Sequence, residues 1–159
     1  MHRLRQFLYE RDRCRVDDGV DRVEAQPVDA HVEPVVEHLE DGGEHEILWR
    51  GAAGGLEAAP PAFAERVERH LDFLRARLGC GGRFRVATEN TFPAAAGIAS
   101  SASGFSALTL ATLAALGRRA TVEERSELAR LSGSGSASRS VLGGYVEWPA
   151  GDDDDRCAA

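Results

Sequence analysis

Phe92-Pro93-Ala94-Ala95-Ala96-Gly97-Ile98-Ala99-Ser100-Ser101-Ala102-Ser103-Gly104 decides how this chain is read. Before it, Arg83–Asn90 (RFRVATEN) reads as a strand, although Phe84 and Val86 alternate with their neighbours only in part. After it, an alanine- and leucine-rich run reads as a helix to Leu116. A strand that passes through a loop of small residues into a helix builds a cradle for anions. The first amides of the helix have no intrahelical partner, and its dipole adds partial positive charge. Small side chains let a phosphate reach the backbone. Ser100, Ser101 and Ser103 add hydroxyls able to meet a phosphate or its Mg²⁺. The pattern is not GxxxxGK[ST]. Taken alone it equally describes a plain turn or a closely packed helix.

Downstream, Thr121 and Glu124 form a capping box for a further helix to Leu131. Ser132-Gly133-Ser134-Gly135-Ser136-Ala137-Ser138-Arg139-Ser140 then places five serines and one arginine in nine residues. Gly/Ser-rich sequence ordinarily means a flexible loop. This one is short and sits between an amphipathic helix and an apolar strand, with a helical stretch after it and a strand at Gly143–Trp148. A guanidinium among hydroxyls suits a carboxylate or a phosphate, which it can bind with two hydrogen bonds. The run Asp152–Asp155 reads as a solvated tail.

Upstream, Pro60-Pro61 opens a helix whose apolar stripe is Phe63, Val67, His70, Leu71, Leu74 and Leu78, closed by Gly79. His70 on that stripe reads as structural. Glu46–Arg50 reads as a strand and Gly51–Gly55 as a turn. Residues 1–45 carry acids with neither a 3.6 nor a 2.0 period, and read as a weakly ordered segment.

The chain has 159 residues, 26 acids and 19 bases, a net charge of −7, and no lysine: every base is arginine. That length suits one domain, and the acidity argues against a nucleic-acid partner. No apolar run approaches the ~20 residues of a membrane span, and the first residues lack a secretory pattern. Cys14, Cys80 and Cys157 are too few and too scattered for a disulfide framework. The expectation is a cytoplasmic protein with reduced thiols.

FPAAAGIASSASGFSAL and, some 40 residues on, SGSGSASRSVLGGYVEW resemble diphosphomevalonate decarboxylase, of the GHMP kinase superfamily. The close resemblance covers about residues 83–150. It implies an α+β fold, the ribosomal-protein-S5-domain-2-like N-terminal domain of GHMP kinases, incomplete, over 46–150, with an acidic tail at 151–159. It implies ATP and Mg²⁺ as cofactors and mevalonate 5-diphosphate as substrate, with isopentenyl diphosphate as product in isoprenoid synthesis by the mevalonate pathway. Pro93, Gly97, Ala99, Ser100, Ser101, Ser103 and Gly104 then match the ATP phosphate loop. Ser134, Ser136 and Arg139 match the substrate side, with Arg139 on the carboxylate and the serines near the diphosphate and the reacting hydroxyl; Arg139 and Ser136 are the catalytic candidates. Ser138 stands where the family commonly has cysteine, and Ser132 where relatives often have arginine.

Two departures accompany the resemblance. The family opens with a KYWGK-like strand whose lysine faces the substrate, and this chain contains no lysine. The family also takes a catalytic aspartate from a C-terminal domain, a role not given to Asp152–Asp155. The expectation is an N-terminal-domain fragment, with residues 1–45 poorly ordered or read in a wrong frame. Decarboxylation of mevalonate 5-phosphate, a mevalonate kinase activity and an inactive remnant remain the alternatives. The resemblance implies a homodimer, since relatives often pair so, and neither nucleic acid nor membrane is an expected partner.

Overall fold

In the computed structural model of the chain, residues 32–50, 54–90 and 100–142 are described. They form β1 (Val32–Leu39), β2 (Glu46–Arg50), β3 (Leu56–Ala58), α1 (Pro61–Leu78), β4 (Arg83–Asn90), α2 (Ser100–Ala115), α3 (Val122–Arg130) and α4 (Gly135–Ser140). The strands make one mixed sheet in the order β1-β4-β2-β3. β4 runs antiparallel to β1 and parallel to β2, and β3 is antiparallel to β2. The class is the expected α+β. A parallel pair needs a crossover, and β3 with α1 supplies it.

α1 begins where proline allows. Pro60 is its N-cap and Pro61 its first residue, so the missing amide is one that had no partner in any case. Val67, His70, Leu71 and Leu74 are buried as the stripe predicts. Phe63 is 38% exposed and turns toward Trp49, with ring centroids 6.3 Å apart. Gly79 adopts φ 60°, and Cys80 N–H then reaches the Arg75 carbonyl at 3.1 Å, which closes the helix.

β4 shows the alternation that its sequence half-concealed. Phe84 and Val86 are buried, and Arg83 and Arg85 point the other way. The core joins Ile47, Phe84 and Val86 of the sheet to Val67 and Leu71 of α1, Phe105 and Leu108 of α2, Ala129 of α3 and Ala137 of α4. Leu74, Leu113 and Leu128 form a smaller cluster. On the opposite face Arg85 bonds Glu46 at 2.7 Å and Glu37 at 3.1 Å, and Arg50 bonds Glu89 at 2.7 Å. Arg83 forks onto Asp41 with two bonds of 3.0 Å, holding that carboxyl below the usual carboxylate range. Each exposed pair contributes only ~0–1 kcal/mol, so the apolar face sets the stability.

β1 corrects the reading of the acidic segment. Val32–Leu39 is a strand, not a weakly ordered stretch. Its register places Val36 opposite Val86 and His38 opposite Phe84, with Glu37 opposite Arg85. A period of two is therefore present, but it was hidden. The inner positions include Pro34 and His38, and the outer positions include Val35, which is 41% exposed. Pro34 is tolerated because β1 lies at the edge of the described sheet. The partner of its acids, β4, lies more than forty residues away. Residues 1–31 lie outside the described residues.

Two histidines flank Phe84, at ring-centroid distances of 5.2 Å for His38 and 5.7 Å for His45. Phe84 N–H donates to His45 Nδ1 at 2.9 Å, so the ring proton sits on Nε2, toward Asp72 at 3.3 Å. His38 Nε2 donates to the Gly81 carbonyl at 2.9 Å. Gly82 is needed beside them. Its φ is +80°, and a Cβ there would strike the Leu39 carbonyl. Cys80 is a free thiol; Cys14 and Cys157 lie outside the described residues. Among the described residues no helix is long and apolar enough to cross a membrane.

Phe84 touches both histidines and the main core. Phe84→Ala is expected to cost ~3–5 kcal/mol, measured as a loss of urea-unfolding free energy. A loss below about 1 kcal/mol would show that the sheet–helix core does not depend on this ring.

Candidate functional site

α2 has an unusual composition for its position. It is apolar on nearly all sides, as a helix packed on several neighbours must be, and it carries Ser106, Thr109 and Thr112 inside it, all buried. Thr109 and Thr112 donate to the carbonyls of Phe105 and Leu108, both at 2.8 Å, so neither hydroxyl is left unpaired in the core. The first turn of α2 holds no acidic residue. Its partial positive charge is thus not cancelled locally. Ser101 and Ser103 are exposed in that turn, and Ser103 takes part in interactions of its own. Pro93, Gly97 and Ala99 lie outside the described residues. Ser100 is the first residue of the helix.

Gly104 separates two readings of the small-residue segment. If close packing required glycine, a Cβ would meet a neighbour. None lies within 4 Å. Glycine inside a helix costs ~0.5–1 kcal/mol relative to alanine. Among the described residues no packing contact offsets that cost.

The serine/arginine segment is not the loop that its composition suggested. Gly135–Ser140 is itself a helix, α4, where the sequence reading placed the helical stretch after the motif. Ser134 is its N-cap, with φ −108° and ψ 105°, and its side chain makes no capping bond. Ala137 and Ser138 face inward and are buried, and Arg139 and Ser140 are exposed. Ser136 and Arg139 are three apart and so share a face. Arg139 lies in the last turn, where a cation is favoured, and already engages in interactions. Leu142 ends the described stretch, so the strand expected at Gly143–Trp148 and the tail at Asp152–Asp155 lie outside it.

Two elements hold α4. Ser106 Oγ of α2 donates to the Ala137 carbonyl at 2.5 Å. Ser126 Oγ of α3 donates to the Ser138 carbonyl at 3.1 Å. α3 is itself fixed at its start by the expected capping box: Glu124 N–H donates to Thr121 Oγ1 at 3.2 Å, and Thr121 N–H to Glu124 Oε2 at 2.7 Å. The helix that starts after the small-residue loop and the helix that carries Ser136 and Arg139 are therefore direct neighbours. Neither Ser106 nor Ser126 was singled out from the sequence. Their only signal is a serine on the apolar side of its helix.

His70 is buried with 1% exposure, as expected of a structural residue. Its Nε2 meets Thr109 Oγ1 at 2.9 Å, and its ring lies edge-on to Phe105 at 5.3 Å. Nδ1 has no hydrogen-bond partner by geometry among the described residues. Burial pushes the imidazole down to about 4, against a smaller upward pull from the Leu131 carbonyl. A cleft of about 110 Å³ opens here, lined by Arg66, Arg69, His70, Phe73, Leu131, Ser132 and Gly133. It is smaller than the ~300–1,000 Å³ of ligand pockets, and it includes neither Ser136 nor Arg139.

Comparisons with known proteins bear on the family and the fold. The model of the diphosphomevalonate decarboxylase-like N-terminal domain matches residues 54–159. The human diphosphomevalonate decarboxylase is 43% identical over 94 residues, which are 59% of this chain and 22% of the human protein. A structure of the mevalonate diphosphate decarboxylase from Enterococcus faecalis, solved for its mevalonate diphosphate mediated ATP binding mechanism, superposes with a TM-score of 0.66. It is 34% identical and covers 78% of this chain and 37% of its own. The structure of MDDEF in complex with MVAPP, AMPPCP and magnesium gives the same TM-score, 0.66, at 34% identity over 78% of this chain and 36% of its own. The chain thus spans about a fifth of that curated relative and little more than a third of these solved chains.

The buried His70 has a pH consequence. The unfolded state takes up its proton near pH 6.5, and the folded state only near pH 4. Between those values the unfolded state binds more protons, so stability falls as pH falls, by about 3 kcal/mol in all. Comparing urea unfolding at pH 7 and pH 4.5, the native chain should lose more stability than His70→Gln. Equal losses would mean that His70 does not stay neutral in the fold.

Proposed function

Since the chain belongs to the diphosphomevalonate decarboxylase-like N-terminal domain family, we propose that it is the ATP- and substrate-holding part of an enzyme converting mevalonate 5-diphosphate to isopentenyl diphosphate. The observation that carries the reading is the direct junction of two helices. The start of α2 offers amides, Ser101, Ser103 and Gly104, and α4 offers Ser136 and Arg139. Both halves suit anions, and Ser106 joins them. Relatives solved with MVAPP, AMPPCP and magnesium share this fold.

The chemistry asks for positioning and charge stabilisation rather than a covalent bond to protein. Hydroxide leaves poorly, so the tertiary 3-hydroxyl must first become a phosphate ester. Bound ATP supplies that phosphoryl group, and Mg²⁺ offsets the charge of its phosphates. The residues present fit both: the first turn of α2 lacks acids, and its exposed hydroxyls can donate to phosphate or turn a lone pair to the cation. Departure of phosphate builds positive charge at C3. The pair of the C–C bond to the carboxylate then moves into the new double bond as CO₂ leaves. Arg139 orients that carboxylate through a two-point guanidinium contact. Ser134 and Ser136 donate to the diphosphate and to the reacting hydroxyl.

The tests use the purified 159-residue chain and calorimetry. With Mg²⁺ present, AMPPCP should bind saturably, and Ser101→Ala should weaken it about tenfold, the effect of one charge-assisted hydrogen bond. Arg139→Ala should spare AMPPCP and weaken mevalonate 5-diphosphate by at least about tenfold. Gly104→Ala should raise unfolding stability by up to about 1 kcal/mol while weakening AMPPCP, because the added methyl stands where the phosphates approach. A folded chain that binds neither ligand would refute the reading.

A further inference from the structure

α4 is six residues long. A helix that short has no stability of its own, since nucleation is hardly repaid by so few bonds, and its N-cap side chain contributes no bond. Yet it carries two residues, Ser136 and Arg139, whose use depends on where they point. Something outside the helix must fix it. The grip comes from two buried hydroxyls on two other helices, Ser106 on the Ala137 carbonyl and Ser126 on the Ser138 carbonyl. Those carbonyls are among the last four of α4, the group that a helix cannot fully satisfy by itself. They are consecutive, hence about 100° apart around the axis. One anchor, added to the seating of Ala137 in the core, would leave the position and rotation of α4 loosely held. Two anchors from different directions set both.

We propose that Ser106 and Ser126 are positioning residues that fix the rotation of α4, so that Ser136 and Arg139 face the substrate anion. This rests on the functional reading above. Ser106 also lies on the helix that begins at Ser100. The phosphate-facing end of α2 and the substrate-facing side of α4 therefore move as one unit. Ala137 also packs into the core, and two further hydrogen bonds run from Ser138 Oγ to the Gly135 carbonyl and from Ser140 Oγ to the Ser136 carbonyl, each at 2.9 Å. Both lie within the helix and cannot orient it.

The experiment compares the native 159-residue chain with Ser106→Ala, Ser126→Ala, Arg139→Ala and the two serine substitutions combined with Arg139→Ala. Calorimetry measures binding of mevalonate 5-diphosphate, and amide hydrogen exchange is followed by NMR. Each serine variant should weaken binding about tenfold in the native background and less than about twofold once Arg139 is alanine. A role confined to stability would shift both backgrounds equally, and that result overturns the proposal, as does unchanged binding. If the native chain binds no mevalonate 5-diphosphate, the functional reading fails and exchange alone decides the positioning. Exchange at Ser138–Leu142 should then rise about tenfold above that of α3 in either serine variant. Unchanged exchange at those amides overturns it.

Discussion

The parallel pairing of β2 with β4 is the constraint from which the rest follows. Neighbouring strands of the same direction cannot be joined by a tight turn, so the chain must leave the sheet and return. It does so through β3 and the long helix α1, and the stripe of α1 then covers the face where Phe84 and Val86 point. α2, α3 and α4 pack beside it. Phe105, Leu108, Ala129 and Ala137 complete one cluster with the sheet residues. The candidate site is carried by these later helices, so its geometry descends from the strand order.

The two faces of the sheet obey different physics. The inner face is apolar and sets most of the stability, through burial at roughly 25 cal/mol per Å². The outer face is a lattice of arginines and acids, in which Arg83, Arg85 and Arg50 reach carboxylates on neighbouring strands or the turn that precedes β2. Arginine suits that lattice because its planar fork makes two bonds at once, as at Asp41. Such pairs add little energy singly, but they penalise a slipped register. A one-residue shift of β1 would bring Glu37 inward against Phe84 and Val86.

Local signals were legible and distant ones were not. The start of α1 at Pro60-Pro61, the middle of its stripe from Val67 to Leu74, its glycine stop and the Thr121–Glu124 capping box depend on residues a few positions apart and stand as read, while Phe63 at the head of the stripe is exposed. β1 escaped notice because Glu37 meets its partner, Arg85, only on the distant β4. α4 escaped because glycine and serine favour loops when considered alone, while its Ala137 and Ser138 carbonyls accept from Ser106 and Ser126 of distant segments. The serine/arginine motif was visible as a candidate site, yet its two supports were invisible. A serine in an apolar helix carries no mark of whether it bonds its own turn, as Thr109 and Thr112 do, or another element.

The sequence by itself determined the kind of chemistry on offer: a small-residue loop opening a helix, a guanidinium among hydroxyls, and no lysine to do either job. It also determined the helices whose periodicity and caps are local. Only the tertiary structure decided that the acidic residues 32–39 form an edge strand, that Ser132–Ser140 is helical from Gly135, and that α2 grips α4 directly. The physical reason is the range of the forces concerned. Backbone propensity and capping act within a turn. The orientation of a side chain that must meet a ligand is set by hydrogen bonds and packing between segments brought together only when the sheet closes.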